Sequence, residues 1–270
     1  MKISTTRDRT QGKITLPSVW RGTVLRVAAV LFWILLWAMA AYKVGLPVLL
    51  PSPLSVAQRL VQLCVTADFW MTVFASLVRI LLGFFCGVLF GTLLAVMAWR
   101  SDIAQEMIRP MLGVLKATPV ASFIILALVW IDTQILAAVI SFIMVLPLVY
   151  HNVREGFDAA DTKLLEMARM FELSRAKTFR YCYLPAILPF FLSAVSSALG
   201  FAWKSGIAAE VLGRPARAIG KQIYDSKIYL ETVDLFAWTI VVILMSVMLE
   251  KLMLWLVKRI GKQSMKVAEK

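Results

Sequence analysis

The chain has 270 residues, of which 60% are apolar and only 17% charged, with a mean hydropathy of +0.80. Soluble domains average about 45–50% apolar and 25% charged, so one 30.2 kDa globule cannot bury the excess, whereas six membrane helices of about 20 apolar residues each would absorb it. A disordered chain, a collagen and a disulfide framework are excluded, the last because Cys64, Cys86 and Cys182 are odd in number and unpaired in spacing; the net charge of +13 reads as basic membrane-flanking loops rather than a nucleic-acid surface.

Residues 1–26 are polar and carry Lys2, Arg7, Arg9, Lys13, Arg21 and Arg26. An unbroken apolar run, 27–42, is expected to be the first span. Ala38-Met39-Ala40 imitates a signal-peptidase site, but the preceding basic stretch is long and further spans follow, so an uncleaved helix is expected. Pro47, Pro51 and Pro53 break the chain, and 54–63 suits an interfacial helix. The run 69–99 is too long for one perpendicular span, and Arg79 separates an amphipathic lead-in from an apolar half. That half carries Gly83, Gly87 and Gly91 at four-residue intervals, which puts them on one helix face where a partner helix can approach closely.

Arg100, Asp102, Glu106 and Arg109 read as a short charged loop. The third apolar stretch, 111–131, contains Lys116 and Pro119; the proline removes a helix hydrogen bond, so the freed backbone must face protein or a water-filled cavity. Asp132-Thr133-Gln134 reads as a turn, 135–150 as the fourth span with Pro147 near its end, and 151–183 as a polar block. The fifth span is expected over 184–203, between Pro185 and Lys204, followed by a mixed loop, 205–234, and a sixth span over 235–257. The chain thus divides into a basic segment (1–26), a membrane domain (27–257) and a basic tail (258–270). Of the 29 Lys and Arg, 21 fall in segments on the same side as the N-terminus, which places both termini and the 151–185 block in the cytoplasm.

Asp161 is positioned to cap a short helix in which Leu164, Leu165, Met167, Ala168 and Phe171 cluster at helical spacing. Ser174 would cap a second helix, through Phe179 and Tyr183, ending before Pro185. Two short amphipathic helices projecting from a membrane bundle fit the groove of another protein or a hairpin lying on the membrane, and composition alone leaves both open.

Glu166-Met167-Ala168, then Glu172 after three residues and Cys182-Tyr183-Leu184-Pro185 after nine more, resembles the EAA signature of importer-type ABC permeases. Glu166, Ala168, Leu184 and Pro185 match in register; Met167 replaces Ala, Cys182 replaces Ile, and Glu172 stands where Gly normally supplies the left-handed break between the two helices. Ser76-Leu77-Val78-Arg79 with Gly83-Phe84, Arg109-Pro110, Pro119 with Ala121, Leu146-Pro147 with Asn152 and Gly156, and Trp203 followed by Ala209-Glu210 are similar to the nitrate, sulfonate and taurine branch. The resemblance covers about 54–259.

The resemblance implies an all-α integral membrane protein of about six transmembrane helices, type I importer permease-like, with a cytoplasmic coupling loop at 151–185, in the bacterial inner membrane. It implies a transport subunit without chemistry of its own and no cofactor in this chain, with ATP and Mg held by a partner ATP-binding subunit. An extracytoplasmic solute-binding protein, a second permease copy and membrane lipids complete its partners, and nucleic acid is not among them. Carried over residue by residue, the coupling element is Glu166, Met167, Ala168, Glu172, Ser174, Leu184 and Pro185. Polar groups inside spans are costly unless they face a cavity or partner; Pro119, Ser122, Trp203 and Glu210 are the candidates for the path or a gate, beside Lys116, Ser141, Ser193, Ser196, Ser197 and Lys204. The stretch from Gly213 to Gly220-Lys221-Gln222 imitates a P-loop but has six intervening residues and no Ser or Thr after the lysine. One histidine, His151, and no clustered Cys or carboxylates offer no metal site. The expected solute is a small nitrate-, sulfonate- or taurine-like anion, with a vitamin or vitamin precursor as the alternative. An integral-membrane enzyme would need a cluster of acids, bases or metal ligands, and a membrane anchor would need no coupling motif.

Overall fold

A computed structural model describes residues 18–268, with side chains over 24–257 and at Arg259. The segment 1–17 and the tail side chains at 258 and beyond 259 lie outside the described residues. The described elements are all helical: α1 (Ser18–Val44), α2 (Pro53–Cys64), α3 (Ala67–Arg100), α4 (Asp102–Ala117), α5 (Val120–Ala127), α6 (Thr133–Asp158), α7 (Thr162–Met170), α8 (Arg175–Thr178), a π turn (Phe179–Tyr183), α9 (Leu184–Gly213), α10 (Ile219–Ile228) and α11 (Thr232–Ala268). Five helical stretches are long and apolar enough to cross a membrane, and α4 with α5 makes a sixth if the bent pair counts as one span.

Helix α6 is the centre of the bundle. Half of its apolar window is buried, against 6% for α1 and 11% for α11, because both α3 and α9 pack closely against it. The α3 face is set by its glycines. A Cβ at Gly83 would lie 2.1 Å from the Ala138 carbonyl oxygen, one at Gly87 2.7 Å from Val145 Cβ, and one at Gly91 2.8 Å from the Leu146 carbonyl oxygen. The three glycines therefore pack inside one chain, against α6. Gly206 on α9 does the same toward Ile80 of α3, at 2.6 Å. Helix α1 is held chiefly at one end, where the Trp37 indole donates to the Pro51 carbonyl (3.1 Å) and stacks on Phe236.

Several boundaries differ from the sequence expectation, each for a local reason. The charged stretch at 100–109 is helix, not loop, because Ser101 accepts the Ala104 N–H and Asp102 sits in the first turn of α4, both stabilising a helix start. The third apolar stretch is not one straight span: Thr118 is extended and α5 leaves α4 at 103°, as the residue before Pro119 is driven from the helical region. Asp132 accepts the Gln134 N–H at 2.7 Å and caps α6, so Thr133 and Gln134 are helical rather than a turn. Helix α6 also continues past Tyr150 to Asp158, two turns into the polar block.

Pro185 does not end the second short helix. The chain widens into the π turn, in which the Leu184 N–H donates to the Phe179 carbonyl, and Pro185 falls in the first turn of α9 where no donor is required. A continuous helical path thus runs from Arg175 to Gly213, and it carries Glu210 on a helix rather than in a loop. At the end of the bundle near α10, Arg59 of α2 clasps Asp234 of α11 with both Nε (2.5 Å) and Nη2 (2.8 Å), and these bonds raise the guanidinium above its ordinary pKa.

Candidate functional site

The hairpin α7–α8 projects from the end of the bundle and is built by its caps. Asp161 Oδ1 accepts the Lys163 N–H at 2.8 Å and opens α7. Glu172 closes it with a left-handed φ of 52°, while the Leu173 N–H donates to the Ala168 carbonyl (2.9 Å) and the Glu172 N–H to the Arg169 carbonyl (3.0 Å). That is the helix-end pattern glycine usually provides, here made by a glutamate. Ser174 precedes α8 with an extended backbone and accepts the Thr178 N–H through its carbonyl, not its side chain.

Within α7 the faces divide. Ala168 is buried toward the bundle, and the Cys182 thiol donates weakly to the Leu164 carbonyl at 3.9 Å. Glu166 is exposed, and Met167, Met170 and Phe171 are 51%, 82% and 74% exposed. Leu184 and Pro185 are exposed at the base of α9. The hairpin is seated on an aromatic cluster: Trp99 stacks on Phe157 at 4.5 Å and meets Tyr183 edge-on at 4.9 Å. Gly156 lets α6 and α9 meet there, since its Cβ would lie 2.9 Å from Ile187 Cα.

In the half of the bundle away from the hairpin, a buried ion pair joins three helices. Arg79 of α3 donates to Glu210 Oε1 of α9 at 2.9 Å, and Ser76 donates to Oε2 at 2.7 Å. The Gly220 N–H of α10 reaches Oε2 at 3.3 Å, and the Ile219 N–H donates to Ser76 Oγ at 2.9 Å. The second arm of Arg79 donates to the carbonyls of Ala216 (2.7 Å) and Arg217 (3.2 Å) in the loop before α10. Glu210 is wholly buried, and only glycine fits at 220, where a Cβ would lie 2.5 Å from Glu210 Cβ.

A polar cleft of about 230 Å³ opens between α9 and α11, lined by Ser196, Ser197, Gly200, Lys204, Ser246 and Glu250, with Trp203 at its wall. The Trp203 indole donates to the Val242 carbonyl at 3.1 Å and fixes α9 to α11. Ser141 is turned inward to the Ala202 carbonyl (3.0 Å), whereas Ser193, Ser197 and Lys204 face outward along α9. Pro119 and Ser122 are exposed at the α4–α5 elbow, next to Lys116. The structure thus groups Trp203 and Lys204 at one cleft, Glu210 in the ion pair, and Pro119 and Ser122 elsewhere. Pairing of Arg79 with Glu210 is absent from the sequence reading; the available signal was an arginine inside a span, which needs an acid from a facing helix.

The family of inner membrane components of binding-protein-dependent transport systems matches residues 87–262, from the middle of α3 through most of α11. The chain belongs to this family. Within that match lie the hairpin, the cleft and Glu210, while Ser76 and Arg79 precede it. Among relatives of this inner membrane component, SsuC of Bacillus subtilis (strain 168), named as an aliphatic sulfonates transport permease, is 25% identical over 226 residues, covering 82% of this chain and 79% of its own. The taurine transport system permease protein TauC of Escherichia coli (strain K12) is 23% identical over 220 residues, 79% of this chain and 80% of its own. The bicarbonate transport system permease protein CmpB of Synechococcus elongatus is 24% identical over 254 residues, 88% and 90% of the two chains. A chain of an amino acid ABC transporter crystallised with histidines shares the fold, with a TM-score of 0.58 at 20% identity over 68% of this chain and 90% of that one.

Proposed function

We propose that this inner membrane component is the permease subunit of an ATP-driven importer for a small anion of the sulfonate, taurine or bicarbonate kind. The observation that carries the reading is the α7–α8 hairpin, which projects from the bundle and leaves Met167, Met170 and Phe171 largely uncovered. Apolar side chains on a short projecting helix gain by entering a groove, and the groove is that of an ATP-binding subunit, with Glu166 and Glu172 at its rim. The excess of Lys and Arg on one side supports a cytoplasmic hairpin and cytoplasmic termini, and in this reading ATP and Mg act on the partner. An extracytoplasmic binding protein delivers the solute to the opposite side.

Lys204 supports a paired permease. It lies inside an apolar span, faces outward and is outside the ion pairs among the described residues, and a charge in that position needs a water-filled path or a second protein wall. Two copies facing each other across α9 would supply both, with Trp203 and the serines of the cleft on the path and the exposed Pro119 and Ser122 beside it. Glu210 holds the outer wall through Arg79. Nucleotide moves the bundle only if the ATPase binds one hairpin orientation more tightly than the other.

A mild-detergent pull-down of the tagged chain from native membranes, read by mass spectrometry, tests this. A P-loop ATPase should be recovered with the wild type and lost with Met170→Asp or Glu166→Arg at unchanged membrane level. Recovery of the chain alone, under conditions that preserve other transporter complexes, would overturn it. Uptake restricted to a neutral or cationic solute would overturn the anion class alone.

A further inference from the structure

Beneath the hairpin a cleft of about 1060 Å³ receives Arg100 from the end of α3, Arg169 from α7 and Arg175 from α8, with Trp99, Phe179 and Tyr183 on its walls. No acid lines it. The ion pairs among the described residues are Arg59–Asp234, Arg79–Glu210, Arg109–Glu106 and Arg154–Asp158, so the three arginines that line this cleft do so without a carboxylate partner among those pairs. Cations gathered this way repel one another unless an anion joins them.

We propose that this cleft binds the headgroup of an anionic phospholipid, which joins the hairpin to the membrane surface. Its position argues for lipid. Arg100 is the last residue of a membrane-crossing helix, and Phe179 and Tyr183 lie where the next crossing stretch begins, so the cleft sits at the interface where aromatic rings and anionic headgroups meet. The phosphate takes paired donors from the guanidiniums, and the acyl chains run along the aromatic walls. Geometry also separates this site from the ATPase-facing surface. Leu165 and Arg169, one turn apart on α7, line the cleft, whereas Met167 and Met170 point to the other side of the same helix. One face then serves the membrane and the other the ATPase, and the lipid fixes the hairpin's angle in the resting state.

Native mass spectrometry of the full permease in detergent tests the site, with dioleoylphosphatidylglycerol and dioleoylphosphatidylcholine titrated separately. Phosphatidylglycerol should be retained in preference to phosphatidylcholine. Each of Arg100→Gln, Arg169→Gln and Arg175→Gln should weaken that retention about five-fold, and the triple variant on the order of a hundred-fold. Lys163→Gln, which removes a charge outside the cleft, should leave retention unchanged. Inorganic phosphate at millimolar concentration should not displace the lipid; if it does so fully, the site is a free-anion site and the lipid assignment is wrong. Equal retention of the two lipids, or a triple variant with wild-type retention, overturns the proposal. If the triple variant retains lipid normally but loses the ATPase in the pull-down, the arginines are ATPase contacts instead.

Discussion

Replacing Glu210 by an apolar residue should destabilise the bundle strongly. In Glu210→Met, Ser76 and the Gly220 N–H lose their shared acceptor, and Arg79, only 16% exposed, keeps just the carbonyls of Ala216 and Arg217. Breaking a buried ion pair from one side costs about 3–5 kcal/mol, which for a chain of this size lowers Tm by about 6–20 °C. Arg79→Met should cost a similar amount, because it strands a wholly buried carboxylate. The double variant, with both charges gone, should be more stable than either single one, since apolar replacement of a whole buried pair is often near neutral. Tryptophan fluorescence of the purified permease in detergent, heated as four proteins in a double-mutant cycle, reads these values directly. A Glu210→Met variant within 2 °C of wild type, or a double variant showing the plain sum of the single losses, would refute the claim that the pair bears on stability as a unit.

Gly83→Val should separate α3 from α6, as a Cβ there would lie 2.1 Å from a backbone carbonyl oxygen, while Gly113→Ala, with nothing within 4 Å, should raise Tm slightly through helix propensity worth up to about 1 kcal/mol; equal effects would contradict the packing described. Glu172→Gly should stabilise the hairpin by about 1 kcal/mol by removing a side chain from the left-handed region, and Glu172→Val should do the reverse, both visible as altered hydrogen exchange at Leu173. Lys204→Gln should reduce ATP-driven uptake at least ten-fold with ATPase recovery unchanged, and Lys204→Arg should retain it; normal uptake by the glutamine variant would remove Lys204 from the path.

Apolar runs locate the spans because burial in lipid depends on composition averaged over many residues, and the boundaries escape for the same reason. A helix does not stop where its lipid-facing stretch does: α6 continues to Asp158 and α9 to Gly213, since backbone hydrogen bonding persists wherever the next residues tolerate it. The prolines show how little local sequence decides. Pro119 and Pro185 both lack a donor, yet the first turns the chain through 103° while the second is absorbed by one widened turn. In the first case Thr118 is extended; in the second Leu184 stays helical because its N–H finds a carbonyl five residues back, at Phe179. The second outcome lies beside the cluster of Trp99, Phe157 and Tyr183, long-range packing that the local sequence around Pro185 does not carry.

Site residues divide along the same line. The spacing from Glu166 to Pro185 is local, so the hairpin was legible, down to a turn position that Glu172 fills in a left-handed conformation at some cost. Which face of that hairpin is apolar and uncovered, and which is lined with arginines, depends on how α7 is rotated against the bundle. Glu210 is harder still. Its partner Arg79 lies 131 residues away, and each alone reads as an intramembrane charge in search of water or a solute. Once paired and bonded to Ser76 and Gly220, the same carboxylate is fully occupied in holding α3, α9 and α10 together. Lys204 has no such partner among the described ion pairs. Lys204 is therefore left as a cation outside those ion pairs that faces the cleft, which Glu250 of α11 also lines, and for that reason an uptake assay of Lys204→Gln, rather than a stability measurement, tests what it does.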